Sequence, residues 1–235
     1  MNLVKEKWTR KDYEEYLIYL CSFYNEKNKK FGEKLINTKY EIIGMYMKEM
    51  RSIAKNIFKG NWQEFLKFTT NTYYEEVVIE GYVRELSKDI NLIELFLPKI
   101  DNWAICDSLS LKYLTKNLDS YFDYFLNYLK DEREYYCRFG LIMLLGHYVS
   151  DKYIDRILIA IDKIESDLYY INMAQAWLLC ECYVKCPSTT EMYLHKNNLN
   201  DFTQNKTISK IRESYRVDKD KKDYLNILKR KKAKA

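Results

Sequence analysis

The pentapeptide Tyr73-Tyr74-Glu75-Glu76-Val77 returns in outline as Tyr135-Tyr136-Cys137-Arg138-Phe139 and again as Tyr169-Tyr170-Ile171-Asn172-Met173. The first interval is 62 residues, twice 31, and the second is 34. A further copy belongs near residue 104, where Trp103 opens an apolar stretch. Apolar residues recur every three or four positions between and beyond these points, which is the period of an amphipathic helix. Helices are expected near 9–28, 46–58, 61–69, 73–86, 89–97, 102–112, 115–129, 133–149, 151–163, 168–185, 188–197, 203–214 and 219–231. Helices paired at a period of 31 to 34 residues read as an all-α fold, an α-solenoid of HEAT or TPR type.

Composition agrees with long helices. The 235 residues include only 6 Gly and 2 Pro, too few for a chain of short strands and tight turns. No linker rich in Gly, Pro or Ser interrupts the pattern, so one domain over 1–235 is expected. No apolar run reaches the roughly 20 residues of a membrane span, and the N-terminus lacks the apolar core of a signal peptide. The expectation is a cytoplasmic monomer with no membrane association.

The six cysteines sit in apolar helical segments, as reduced core thiols do. Cys180, Cys182 and Cys186 lack the spacing and the paired His of a metal site, so no metal and no cofactor is expected. The formal charge of +5 is carried by the basic tail 218–235, with eight Lys/Arg against three Asp. That leaves 31 basic and 31 acidic residues in 1–217. Net charge alone therefore does not make a nucleic-acid protein; a local patch must hold such a partner, helped by Lys229–Lys232. The alternative is that the tail is a frayed, solvated terminus.

The fourth position of each repeat copy is polar: Glu76, Asp107, Arg138 and Asn172. Equivalent positions of stacked repeats share a face, so these four are expected to line one concave surface. A plain solvated helix face would show the same pattern. Asp101, behind Pro98, is the expected cap of the next helix. Within that helix Trp103 and Asp107 lie four residues apart and so share one face. Read alone, such a pair is also what a core tryptophan and an Asp bonded to a neighbouring Arg would give.

The segment Asp101-Asn102-Trp103…Cys106-Asp107-Ser108 resembles the AlkD-type DNA alkylation repair glycosylases, built of HEAT-like repeats. The resemblance runs from about Lys34 to Lys229. It includes Ile43-Gly44, Arg51-Ser52-Ile53-Ala54-Lys55, Tyr73–Val77, Tyr136–Gly140, Met173–Trp177, Asn205-Lys206 and Ile211–Arg216, in family order. It implies that Trp103 and Asp107 are the catalytic aromatic and carboxylate. Trp177 would be a second tryptophan of the concave DNA-binding groove. Arg138, with Arg51 and Lys206, would contact the DNA backbone, though each reads alone as a surface or capping residue.

Trp177 lies about 140° from Asn172 around a helix, so the row of polar positions does not predict its place. Two features depart from the family. Met47-Lys48 stand where a proline often opens a helix, and an aromatic carried by some members aligns near Leu35 or Tyr40. The resemblance implies hydrolysis of the N-glycosidic bond of cationic alkylated purines, such as 3-methyladenine and 7-methylguanine, in double-stranded DNA without base flipping. Two alternatives keep the fold: a non-catalytic binder of branched or distorted DNA, and a protein-interaction scaffold. Neither needs an acid accompanied by two tryptophans.

Overall fold

Thr9 opens the first helix: its hydroxyl oxygen accepts the Asp12 N–H at 3.2 Å, and its own N–H reaches the Asp12 carboxylate at 2.9 Å. This reciprocal cap satisfies two backbone donors that a helix start leaves bare. The computed structural model describes residues 1–231, and the chain divides into two compact units, Met1–Leu111 and a second beginning at Lys112.

The first unit contains α1 (Arg10–Cys21), α2 (Glu26–Leu35), α3 (Met47–Phe58), α4 (Trp62–Leu66), α5 (Tyr74–Ser87), α6 (Ile90–Glu94) and α7 (Trp103–Ser108). Helix α5 is its centre. Every residue from Tyr74 to Arg84 is buried, and α1, α3, α6 and α7 all pack on it. The second unit contains α8 (Leu118–Tyr128), α9 (Glu134–His147), α10 (Ile154–Ile161), α11 (Tyr169–Lys185), α12 (Pro187–His195), α13 (Asp201–Glu213) and α14 (Lys219–Asn226). Here α9, α11 and α13 pack side by side, α8 pairs with α9, and α12 packs on both α10 and α11. The described residues are thus all-helical, in the pattern of α-helical repeats, with one isolated bridge between Glu41 and Tyr73. The three Tyr-Tyr pairs all lie at the starts of inner helices, α5, α9 and α11.

Two of the expected helices stop early at identifiable contacts. The helix expected over 9–28 stops at Cys21, because Asn25 caps a new helix through its side-chain oxygen and the Asn28 N–H at 3.0 Å. The resulting α2 buries no residue, so it carries no apolar stripe by which the sequence could announce it. The helix expected over 102–112 stops at Ser108. Glu85 takes the Ser110 hydroxyl at 2.6 Å and the Leu111 N–H at 3.0 Å, and Leu111 turns to φ +40°. Helix α3 starts without a proline; the Glu49 carboxylate instead accepts the Tyr46 N–H at 2.9 Å.

Gly140 lets α9 approach α8 closely. A Cβ there would lie 2.8 Å from both Leu129 Cδ1 and Tyr128 Cβ, and 2.9 Å from the Phe125 carbonyl oxygen. The last is backbone and cannot swing away. Gly140→Ala is therefore expected to cost about 1–3 kcal/mol despite its better helix propensity. Thermal unfolding should show a melting temperature several degrees lower; an unchanged or higher value would mean that the α8–α9 contact is loose.

Candidate functional site

Helix α7 is short, and its start decides what it presents. The cap is Asn102 rather than the expected Asp101: the Asn102 side-chain oxygen accepts the N–H groups of Ala104 at 2.9 Å and Ile105 at 3.0 Å. Asp101 instead ties the approach to α7 back to the segment after α2, accepting the Thr38 hydroxyl at 2.9 Å and the Lys39 N–H at 2.7 Å. Ile105, Cys106 and Ser108 face inward and are buried. Trp103, Ala104 and Asp107 form the half-exposed face, so the four-residue spacing does place ring and carboxylate on one side. The Trp103 indole N–H donates to the Leu35 carbonyl at 3.2 Å, which fixes the ring by its edge. Neither position aligned with the family's extra aromatic offers an open ring: Leu35 contributes that backbone oxygen, and Tyr40 is buried with its hydroxyl donating to the Lys99 carbonyl at 2.7 Å.

Three buried carboxylates of α5 hold these loops. Glu75 accepts the N–H groups of Ile43 at 2.9 Å and Gly44 at 2.7 Å, with Met45 at 3.2 Å. Burial raises its pKa, and those backbone donors oppose the rise. Gly44 has φ +94°, and a Cβ there would meet the Asn25 carbonyl at 2.4 Å, so only glycine fits this turn. Glu80 binds Lys99 Nζ at 2.7 Å and Arg84 Nη2 at 2.8 Å, anchoring the turn that leads into α7. Glu76 accepts four successive backbone N–H groups, Thr70 at 2.7 Å, Asn71 at 2.9 Å, Thr72 at 2.8 Å and Tyr73 at 3.2 Å. The Tyr13 hydroxyl completes the set at 2.5 Å.

Glu76 is therefore wholly buried and lines no open surface, contrary to the expected polar row. Asn172 is likewise buried, at 4% exposure. Glu76 falls on the inward side of the first turn of α5, where its carboxylate meets bare backbone N–H groups rather than solvent. Arg138 is 4% exposed, and its Nη1 donates to the Tyr170 carbonyl at 2.7 Å, while the Tyr170 N–H reaches Glu134 at 3.0 Å. The pair clamps α9 to the start of α11.

Arg51, by contrast, is exposed on α3, with its guanidinium carbon 4.5 Å from the centre of the Tyr82 ring. Burial raises the Tyr82 pKa, and the Arg51 cation opposes that rise. In the second unit Trp177 is 45% exposed. Lys210 Nζ sits 5.4 Å from its ring centre, a cation–π contact. Lys206 is half-buried one turn earlier on α13. Sequence reading missed Lys210, Tyr169 and Phe202. The last two are exposed rings whose centroids lie 5.8 Å apart. The four-residue spacing Phe202, Lys206, Lys210 was the available signal.

Five of the six cysteines are buried as expected, but Cys21 is exposed at the end of α1. Burial pushes the Cys180 thiol up to about 11 and also raises Cys182 and Cys186, so none favours the thiolate a metal needs. Among the described residues, no group of three or more His, Cys, Asp or Glu could hold a metal ion. No described helix is long and apolar enough to cross a membrane. The basic tail is not simply solvated. Arg230 donates to the carbonyls of Leu199 and Asn197, and Nη2 reaches Asn197 Oδ1 at 2.8 Å, tying the tail to the loop before α13. Lys232 and the residues after it lie outside the described residues.

Comparison with known proteins adds the family. A search among curated proteins finds no match. Residues 19–213 match the family described as DNA alkylation repair enzyme, a span that takes in Arg51, Trp103, Asp107, Arg138, Trp177 and Lys206. With the helical repeats and the half-exposed Trp103–Asp107 face already in place, a match over most of the chain decides the matter: the chain belongs to the DNA alkylation repair enzyme family, whose substrate is DNA.

Proposed function

We propose that the chain is a DNA glycosylase that hydrolyses the N-glycosidic bond of cationic alkylated purines, of the 3-methyladenine and 7-methylguanine type, in duplex DNA. The observation that supports this reading is the half-exposed face of α7, where Asp107 lies one turn from an indole fixed by the Leu35 carbonyl. A cationic purine leaves as a neutral base when its bond to C1′ breaks, so it needs little help from a general acid. The sugar left behind is an oxocarbenium-like cation. A carboxylate stabilises that charge and orients the water that adds to C1′ with loss of a proton.

Trp103 supplies a ring face for the deoxyribose and for developing positive charge. Trp177 is proposed in the same capacity, its exposed ring already holding a cation in the form of Lys210. Arg51 and Lys206 are proposed phosphate contacts, with Arg138 as a clamped cation whose geometry is set by Tyr170. The base stays largely stacked in this reading, so recognition follows the charge of the lesion rather than the fit of an extruded base.

The test is release of 7-methylguanine from methylated duplex DNA by the full chain, followed by base analysis. Release that exceeds the spontaneous rate many-fold and weakens steeply with salt is expected, since phosphate contacts release counterions. Tight duplex binding with no base release above background would overturn the glycosylase and leave the non-catalytic DNA binder.

A further inference from the structure

We propose that the open face of α11 and α13 binds single-stranded DNA by stacking unpaired bases on exposed rings. Tyr169, Trp177 and Phe202 are 55%, 45% and 43% exposed, although rings of this size are usually buried. All three gather on two adjacent helices of one unit. Tyr169 meets Phe202 at 5.8 Å between centroids, and Trp177 meets Lys210 at 5.4 Å. Both contacts advance eight residues along their own helix, so α11 and α13 run in the same direction and the contacts form two rungs. Eight residues at about 1.5 Å each put the rungs roughly 12 Å apart. Lys206 stands between them on α13.

The charge on this face is matched to phosphates. Lys206 and Lys210 contribute two cations. Glu181 is bonded to Arg216 at 2.6 Å and Lys185 at 3.6 Å, and Asp201 to Arg230 at 3.5 Å. Glu213 lies at the far end of α13. Rings interleaved with lysines suit a strand whose bases are free, because every base has a face to stack and every nucleotide a phosphate to neutralise. A duplex would use the lysines and leave the Tyr169–Phe202 rung idle, since its base faces are hidden. The inference thus adds a ligand class to the proposed duplex substrate, and it uses two rings that have no part in the proposed chemistry.

The experiment uses the full chain and fluorescein-labelled oligo-dT, read by fluorescence anisotropy, alongside 7-methylguanine release from duplex DNA. Replacing Tyr169 and Phe202 together by Ala is expected to weaken oligo-dT binding by about 10-fold or more. Base release per folded molecule should stay the same. If the double variant loses helical signal, Phe202→Leu keeps the apolar bulk and removes the ring, and the same loss is expected in smaller measure. Oligo-dT affinity that is absent in the wild type, or unchanged in the folded variants, overturns the proposal. So does a change of oligomeric state on removing the rings, which would make the face a protein contact. Failure of the glycosylase reading would appear separately, as absent base release with oligo-dT binding intact.

Discussion

Asp107→Asn is expected to lower single-turnover release of 7-methylguanine by roughly 100-fold or more, with DNA affinity unchanged or slightly improved. The amide keeps the size and shape of the carboxylate and removes its charge. Affinity does not suffer, because a negative charge near phosphates has gone. The cap of α7 should survive the change. Asp107 is half-exposed, and the start of α7 is capped by Asn102, not by Asp107. Melting temperature measured on the same preparation separates chemistry from stability. A stable Asn variant that releases base at the wild-type rate would remove Asp107 from the mechanism. A large fall in melting temperature, with release per folded molecule intact, would make it a structural partner.

How far this site was legible in the chain depends on the kind of group involved. Trp103 and Asp107 could be placed together because a four-residue spacing fixes a shared helix face once the helix is known. The starts of α5, α9 and α11 were legible for a similar reason, as the Tyr-Tyr pairs mark equivalent turns. The acceptor that fixes the Trp103 ring was not legible. It is the Leu35 backbone carbonyl, which every residue possesses, and it is delivered by α2, a helix with no buried residue to reveal it.

The polar row failed for a physical reason of its own. A polar residue in a helical turn reads as solvent-facing by default, and only the path of the preceding loop decides otherwise. At Glu76 that loop brings four N–H groups inward. At Arg138 the next repeat presents a carbonyl. Charge in the sequence does not say which way the loop will run. Trp177, off the row by spacing, lies open on α11, while Asn172 on the row is buried.

Glu76, wholly buried in that row, carries the other large expected effect. Glu76→Ala should destabilise the protein by about 3 kcal/mol or more, since each buried donor left without an acceptor costs roughly 1–3 kcal/mol and water can rescue only some of them. Against a total stability of about 5–15 kcal/mol that is a severe loss. Asn71 adds to it: its φ of +58° is held by the bond to Glu76, and without that bond the loop relaxes. Glu76→Gln should recover part of the loss, because the amide keeps one acceptor oxygen while its NH2 group faces further donors. The approach to α7 depends on the same loop only weakly. Lys99 touches Thr69 at 3.3 Å but is held by Glu80 at 2.7 Å and 2.8 Å, so the Trp103–Asp107 face survives in molecules that remain folded. Urea unfolding should therefore shift far to lower concentration, while base release per folded molecule changes little. A loss below about 1 kcal/mol would show that solvent reaches residues 70–73 and replaces the carboxylate. A collapse of base release in the folded fraction would instead move Glu76 from the scaffold into the reaction.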